Sequence, residues 1–196
     1  MRQEGFSALE SLVAVALLGF ALSISVPALS ALRENGRTAA GARVLATELN
    51  RMRWESVARK RGTGLFFERG PRGWGWRVVE DGNGNGLRTS EVRRGVDPTV
   101  SGPHHLQDQV EDVRLGFPPG GPFPRIPPRT GNIVDTDDPV QFGRSDIVAF
   151  SPLGRSSSGT VYVTDGRRGL FAIVLFGPTT RARVWRYDSV GGKWSL

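Results

Sequence analysis

Residues 11–32, SLVAVALLGFALSISVPALSAL, contain no charged side chain. About 20 such residues cross a bilayer core as a helix, so this block dictates where the front of the chain can reside. One carboxylate, Glu10, stands at its entrance. An ionisable group in a membrane segment costs roughly 2.5–3.5 kcal/mol near the helix centre and is kept for a reason. An ordinary secretory signal has a positive leader and a small-residue cleavage site behind the apolar run. Here the leader MRQEG is formally neutral, Arg2 offsetting Glu4, and the run passes into a helical pattern. Pro27 falls inside that run and removes one helical hydrogen bond. The basic residues behind it, Arg33, Arg37 and Arg43, would by charge alone favour the cytoplasmic side.

A short polar leader ending in Gly5, then Phe6, then Glu10 at the fifth position counted from that Phe, resembles the class III signal of type IV pilins and type II secretion pseudopilins. The resemblance implies that a prepilin peptidase cuts between Gly5 and Phe6 and methylates the new terminus. It also implies that Glu10 pairs with the terminal amine of a neighbouring subunit. A buried carboxylate is tolerated when it is paired in this way.

After residue 32 the pattern turns amphipathic. Ala42, Leu45, Leu49, Met52 and Ser56 step by three or four residues, as a helix with one buried stripe requires, and Arg37, Arg43, Arg51 and Arg59 fall mostly off it. Gly62 and Gly64 stop the helix. From there the period is two: a strand at 65–67, a turn at 70–73 and a strand at 74–80. DGNGNG, residues 81–86, overlaps the opening of a calcium loop, but position twelve is Val92, and turn chemistry explains the same letters. Residues 117–128, FPPGGPFPRIPP, hold six of the 13 prolines and can be neither helix nor central strand, so they are expected to form a surface loop covering a sheet. The last third reads as an antiparallel meander of four strands at 146–150, 159–164, 170–176 and 181–187. Its LFAIVLF strand, apolar on both faces, is expected between another sheet and the helix.

That C-terminal pattern, SDIVAFSPLGRSSSGTVYVTDGRRGLFAIVLFGPTTRARVWRYD, is similar to the globular domain of the minor pseudopilin H and minor pilin FimT family. With the N-terminus the resemblance covers about two-thirds of the chain. It implies an α+β protein. A leader (1–5) precedes a long helix whose membrane half is 6–32 and whose amphipathic half is 33–61. That helix packs on an antiparallel β-sheet or β-sandwich domain, 62–196. The expected protein is a subunit at or near the tip of a type II secretion pseudopilus or type IV pilus. It sits first in the inner membrane, single-pass, with the domain in the periplasm, and its partners are prepilin peptidase, other pilins or pseudopilins, and membrane lipid.

Catalysis has no foothold. There is no Cys, His104 and His105 are adjacent and diverge, and no phosphate-binding Gly loop precedes a Lys. Neither enzyme activity, cofactor nor metal is expected. The formal charge of +7 favours polyanionic partners. In the final strand Arg181, Arg183, Trp185 and Tyr187 alternate onto one face, a pattern suited to phosphate backbone and bases. Some FimT-type pilins take up DNA through Gly-Arg-x-Arg at this place, so the alternative expectation is a DNA receptor in natural transformation. It would use Arg181 and Arg183, with Arg186, Arg167 and Arg168 as further candidates. Thr180 stands where that motif has Gly, and the same arginines would also serve to blunt a sheet edge.

Overall fold

The computed structural model describes residues 8–143 and 145–196, with the side chains of 24–35 excepted. The chain forms two compact units, Met1–Gly36 and Arg37–Leu196. It is α+β, as expected, with antiparallel sheets.

Helix α1 (Ala8–Ala58) begins in the first unit, where Glu10 occupies its first turn. The described side chains there, 8–23, are all exposed, including Leu9, Leu12, Leu18 and Phe20 at 64–73%. The membrane half expected over 6–32 is not shown: among the described residues no helix is long and apolar enough to cross a membrane. Gly5 and Phe6 lie outside the described residues.

In the second unit the same helix carries the predicted stripe. Ala42, Leu45, Leu49, Met52 and Ser56 are at most 1% exposed, while Arg37, Arg43, Arg51 and Arg59 face solvent. Arg51 bridges Glu48 and Glu55, one turn to either side, and Arg59 pairs with Glu80.

Two strands follow, β1 (Thr63–Gly70) and β2 (Gly73–Glu80), hairpinned through Pro71 and Arg72. After helix α2 (Thr89–Arg94) comes β3 (Thr99–His104), then a 3-10 turn at Leu106–Asp108 and the short β4 (Arg114–Leu115) and β5 (Val140–Gln141). The chain ends with β6 (Ile147–Phe150), β7 (Gly159–Thr164), β8 (Leu170–Phe176), β9 (Arg181–Asp188) and β10 (Lys193–Ser195). The first sheet has the order β3-β2-β1-β6; the second runs β10-β9-β8-β7-β4, with β5 also on β7.

The expected meander is therefore corrected in its membership. DIVAF pairs with β1, in register Leu65 to Val148, which leaves β7, β8 and β9 of the expected strands, and β10 extends them. Its residues Val148 and Phe150 contribute to the same core as Leu65 and Phe67, which strand spacing alone does not reveal. α2 and β3 were not anticipated either. α2 is a six-residue helix closed by Gly95 in the left-handed conformation, too short to carry a periodic signal.

One core joins the α1 stripe, Leu65 and Phe67 of the first sheet, and Val161, Val163, Ile173 and Leu175 of the second. The opposite face of β8, Leu170 and Ala172, meets Phe123, Ile126 and Ile133 with Trp194. The Pro-rich segment thus covers the sheet as expected, and it replaces the sheet or helix predicted over that side of LFAIVLF. Trp194 Nε1 of β10 donates to the Pro124 carbonyl at 2.7 Å, which ties the loop to the sheet, and the Ile133 amide donates to the Phe123 carbonyl at 2.8 Å, which closes the segment on itself.

Candidate functional site

β9 hangs on β8 in a continuous register, Arg181 opposite Phe176 and Arg183 opposite Val174. Directly paired residues share a face with Cβ atoms about 5 Å apart, so two exposed guanidinium groups flank Phe176, itself 56% exposed. Neither arginine has an acidic partner among the described residues. β10 pairs only with 186–188 of β9, so residues 181–185 form a sheet edge, and charge there discourages strand addition.

Farther along the same face the aromatic residues leave the surface. Trp185 and Tyr187 are partly buried against the cluster beneath the Pro-rich loop, and the Tyr187 ring lies 5.5 Å from Phe123 and 5.2 Å from Trp194. Ala182 and Val184 pack on the main core. The predicted alternation is correct, but the interleaved aromatics are structural and the exposed ring beside the arginines is Phe176.

The five candidate arginines do not form one cluster. Arg167 and Arg168 lie in the β7–β8 turn, whose backbone amides donate to the Asp165 carboxylate at 2.8 and 3.1 Å. That turn is at the opposite end of β8 from Arg181, on the order of 20 Å away along a strand. Arg186 pairs with Phe171 and, by alternation, points to the other face from Arg181.

Comparison with known proteins adds nothing to this geometry. No protein family, curated protein or solved structure matches the chain.

Thr180 adopts φ 51, the left-handed region where Gly is favoured.

The DGNGNG loop turns inward onto its own acids. The Asp81 carboxylate accepts the amides of Asn83, Gly84 and Gly86, and fully buried Asp97 accepts those of Gly82 and Arg88. Glu91 takes the side-chain amides of Asn83 and Asn85. Among the described residues no group of three His, Cys, Asp or Glu side chains is placed to hold a metal ion. His104 Nε2 meets Ser101 Oγ at 2.8 Å, whereas His105 Nδ1 faces the Trp74 carbonyl at 3.4 Å.

One group of polar residues went unnoticed in the sequence: Arg125 and Arg129 of the Pro-rich loop, with Tyr162 of β7, border a cavity of about 530 Å³ beside Phe176. Their separation in the chain hides them, and only the fold of the loop onto β7 and β8 brings them together.

Proposed function

We propose that the chain is a minor pilin or pseudopilin subunit, cleaved between Gly5 and Phe6 and inserted at or near the tip of a type II secretion pseudopilus or type IV pilus. The observation that carries this reading is the exposed apolar helical surface of 8–23, with Glu10 in the first turn. A helix apolar on every side is stable only in lipid or among other helices. The uncharged run continues to residue 32, which is the length a bilayer requires. Membrane anchorage before assembly and packing among neighbouring subunits afterwards both satisfy this surface. The helix dipole favours a carboxylate in the first turn, where Glu10 stands.

N-terminal sequencing of the protein from its membranes tests the reading. A mature chain beginning at a methylated Phe6 supports it, and one beginning at Met1 or well beyond residue 32 removes it.

A second reading, DNA binding by the same subunit, is favoured by Arg181 and Arg183, without acidic partners among the described residues, beside exposed Phe176. Cations beside an aromatic platform suit a phosphate backbone with unstacked bases. Such binding weakens steeply with salt and is indifferent to sequence. Changing both arginines to Ala flattens the salt slope, and equal binding by variant and parent rules out this surface.

A further inference from the structure

We propose that the cavity between the Pro-rich loop and the outer face of β7 and β8 is a binding site for a phosphate ester carrying an apolar or aromatic group. The site does not rest on the filament role, and it shares only the Phe176 and Val174 wall with the Arg181–Arg183 surface. Its donors are Arg125 and Arg129 from the loop and Tyr162 from β7, with Ser158 and Thr160 on the same wall. No carboxylate lines the cavity, and neither loop arginine has an acidic partner among the described residues.

Tyr162 is the second, independent indication. The residue is only 3% exposed, yet its hydroxyl makes no hydrogen bond to any described residue. That hydroxyl is open to the cavity it lines rather than enclosed by protein, so it can donate to a ligand oxygen without giving up a protein partner. Burial pushes the phenol up to about 12, against the pull of Arg129 and Arg125, so at neutral pH it is a protonated donor.

Two of the remaining donors, Arg125 and Ser158, are held in place. Arg125 Nε donates to the Asn132 carbonyl at 3.2 Å and the Arg125 amide to the Gly131 carbonyl at 2.8 Å, leaving the two terminal guanidinium nitrogens available. Ser158 Oγ accepts the Gly177 amide at 2.9 Å and keeps its own proton to donate. Two planar forks and several hydroxyls exceed what the two oxygens of a carboxylate can accept, whereas a doubly charged phosphate has three free oxygens. About 530 Å³ is more than a bare phosphate fills, and the apolar wall of Ile126, Val174 and Phe176 is suited to the attached group.

The test is calorimetric titration of the full chain in nonionic detergent with inorganic phosphate, adenosine monophosphate and dihexanoyl phosphatidic acid below its micelle concentration. Binding of the nucleotide alone identifies a nucleotide-type ligand, and binding of the short lipid alone identifies a headgroup. Either supports the site. Tyr162→Phe keeps the ring beside Phe117 and Trp194 and weakens the preferred ligand about tenfold. Arg125→Gln with Arg129→Gln abolishes binding. Arg181→Ala with Arg183→Ala weakens it far less than the Arg125 and Arg129 double variant, because those residues sit beside the wall residues Phe176 and Val174 without lining the cavity themselves. No heat from any of the three ligands with the parent, or unchanged affinity in the Arg125 and Arg129 double variant, overturns the proposal.

Discussion

At Thr180 a β-branched residue occupies the left-handed region, with φ 51, at the tight turn between β8 and β9. That conformation costs an ordinary L-residue about 1 kcal/mol. Thr180→Gly is therefore expected to stabilise the domain by up to about 1 kcal/mol, read as a higher midpoint in urea unfolding, while the position of Arg181 is unchanged. Tyr162 gives the second expectation at this scale. Its folded-state value of about 12 lies above the ordinary 10.0. Below pH 10 both states keep the proton; above it the unfolded state loses its proton first. The stabilising contribution is thus complete below about pH 10 and lost as pH rises through about 12, a change of about 3 kcal/mol. Unfolding midpoints of Tyr162→Phe between pH 9 and 12 should fall less steeply than those of the parent.

Among the elements, α1 has two environments in one continuous helix. Over 8–23 its side chains are exposed and apolar, while from Ala42 to Ser56 one stripe is fully covered. Leu49, 1% exposed in the main core, is the point at which the helix is best tested. Leu49→Ala should cost about 2–5 kcal/mol in unfolding of the domain. Glu10→Ala, far from that core in sequence, should leave the unfolding midpoint unchanged and instead reduce recovery of the protein in sheared filaments. Equal recovery of Glu10→Ala and parent would show that this carboxylate has no part in assembly. The β8 strand also has two environments, with the α1 stripe and first sheet on one face and the Pro-rich loop on the other. An apolar run of this kind announces burial on both sides without saying what buries it.

For the whole molecule, a formal charge of +7 is too diffuse to name a partner. Many of the arginines are engaged locally, such as Arg51 with Glu48 and Glu55, Arg77 with Glu68, and Arg72 with Asp108. Arg125, Arg129, Arg181 and Arg183, on the outer face of the second sheet, have no acidic partner among the described residues and are placed to attract anions there. DNA binding, measured at low and physiological salt, should therefore be lost in the Arg181 and Arg183 double variant and retained when Arg167 and Arg168 are changed, since those two sit at the far end of β8.

The sequence alone determined the longer features that depend on neighbours along the chain, though not the six-residue α2. The α1 stripe at Ala42, Leu45, Leu49, Met52 and Ser56 follows from helical period. The β1–β2 hairpin follows from Gly70-Pro71-Arg72-Gly73, and the alternation of β9 from strand period. Tertiary structure decided what depends on residues far apart. It moved β6 from the meander to β1, split the five candidate arginines between two ends and two faces of a sheet, and brought Arg125 and Arg129 to Tyr162. Local periodicity records which face of an element must be buried, because each step along the backbone turns the side chain by a fixed angle. The choice of covering partner is made by the packing of the whole core, and it leaves no mark on any single stretch of sequence.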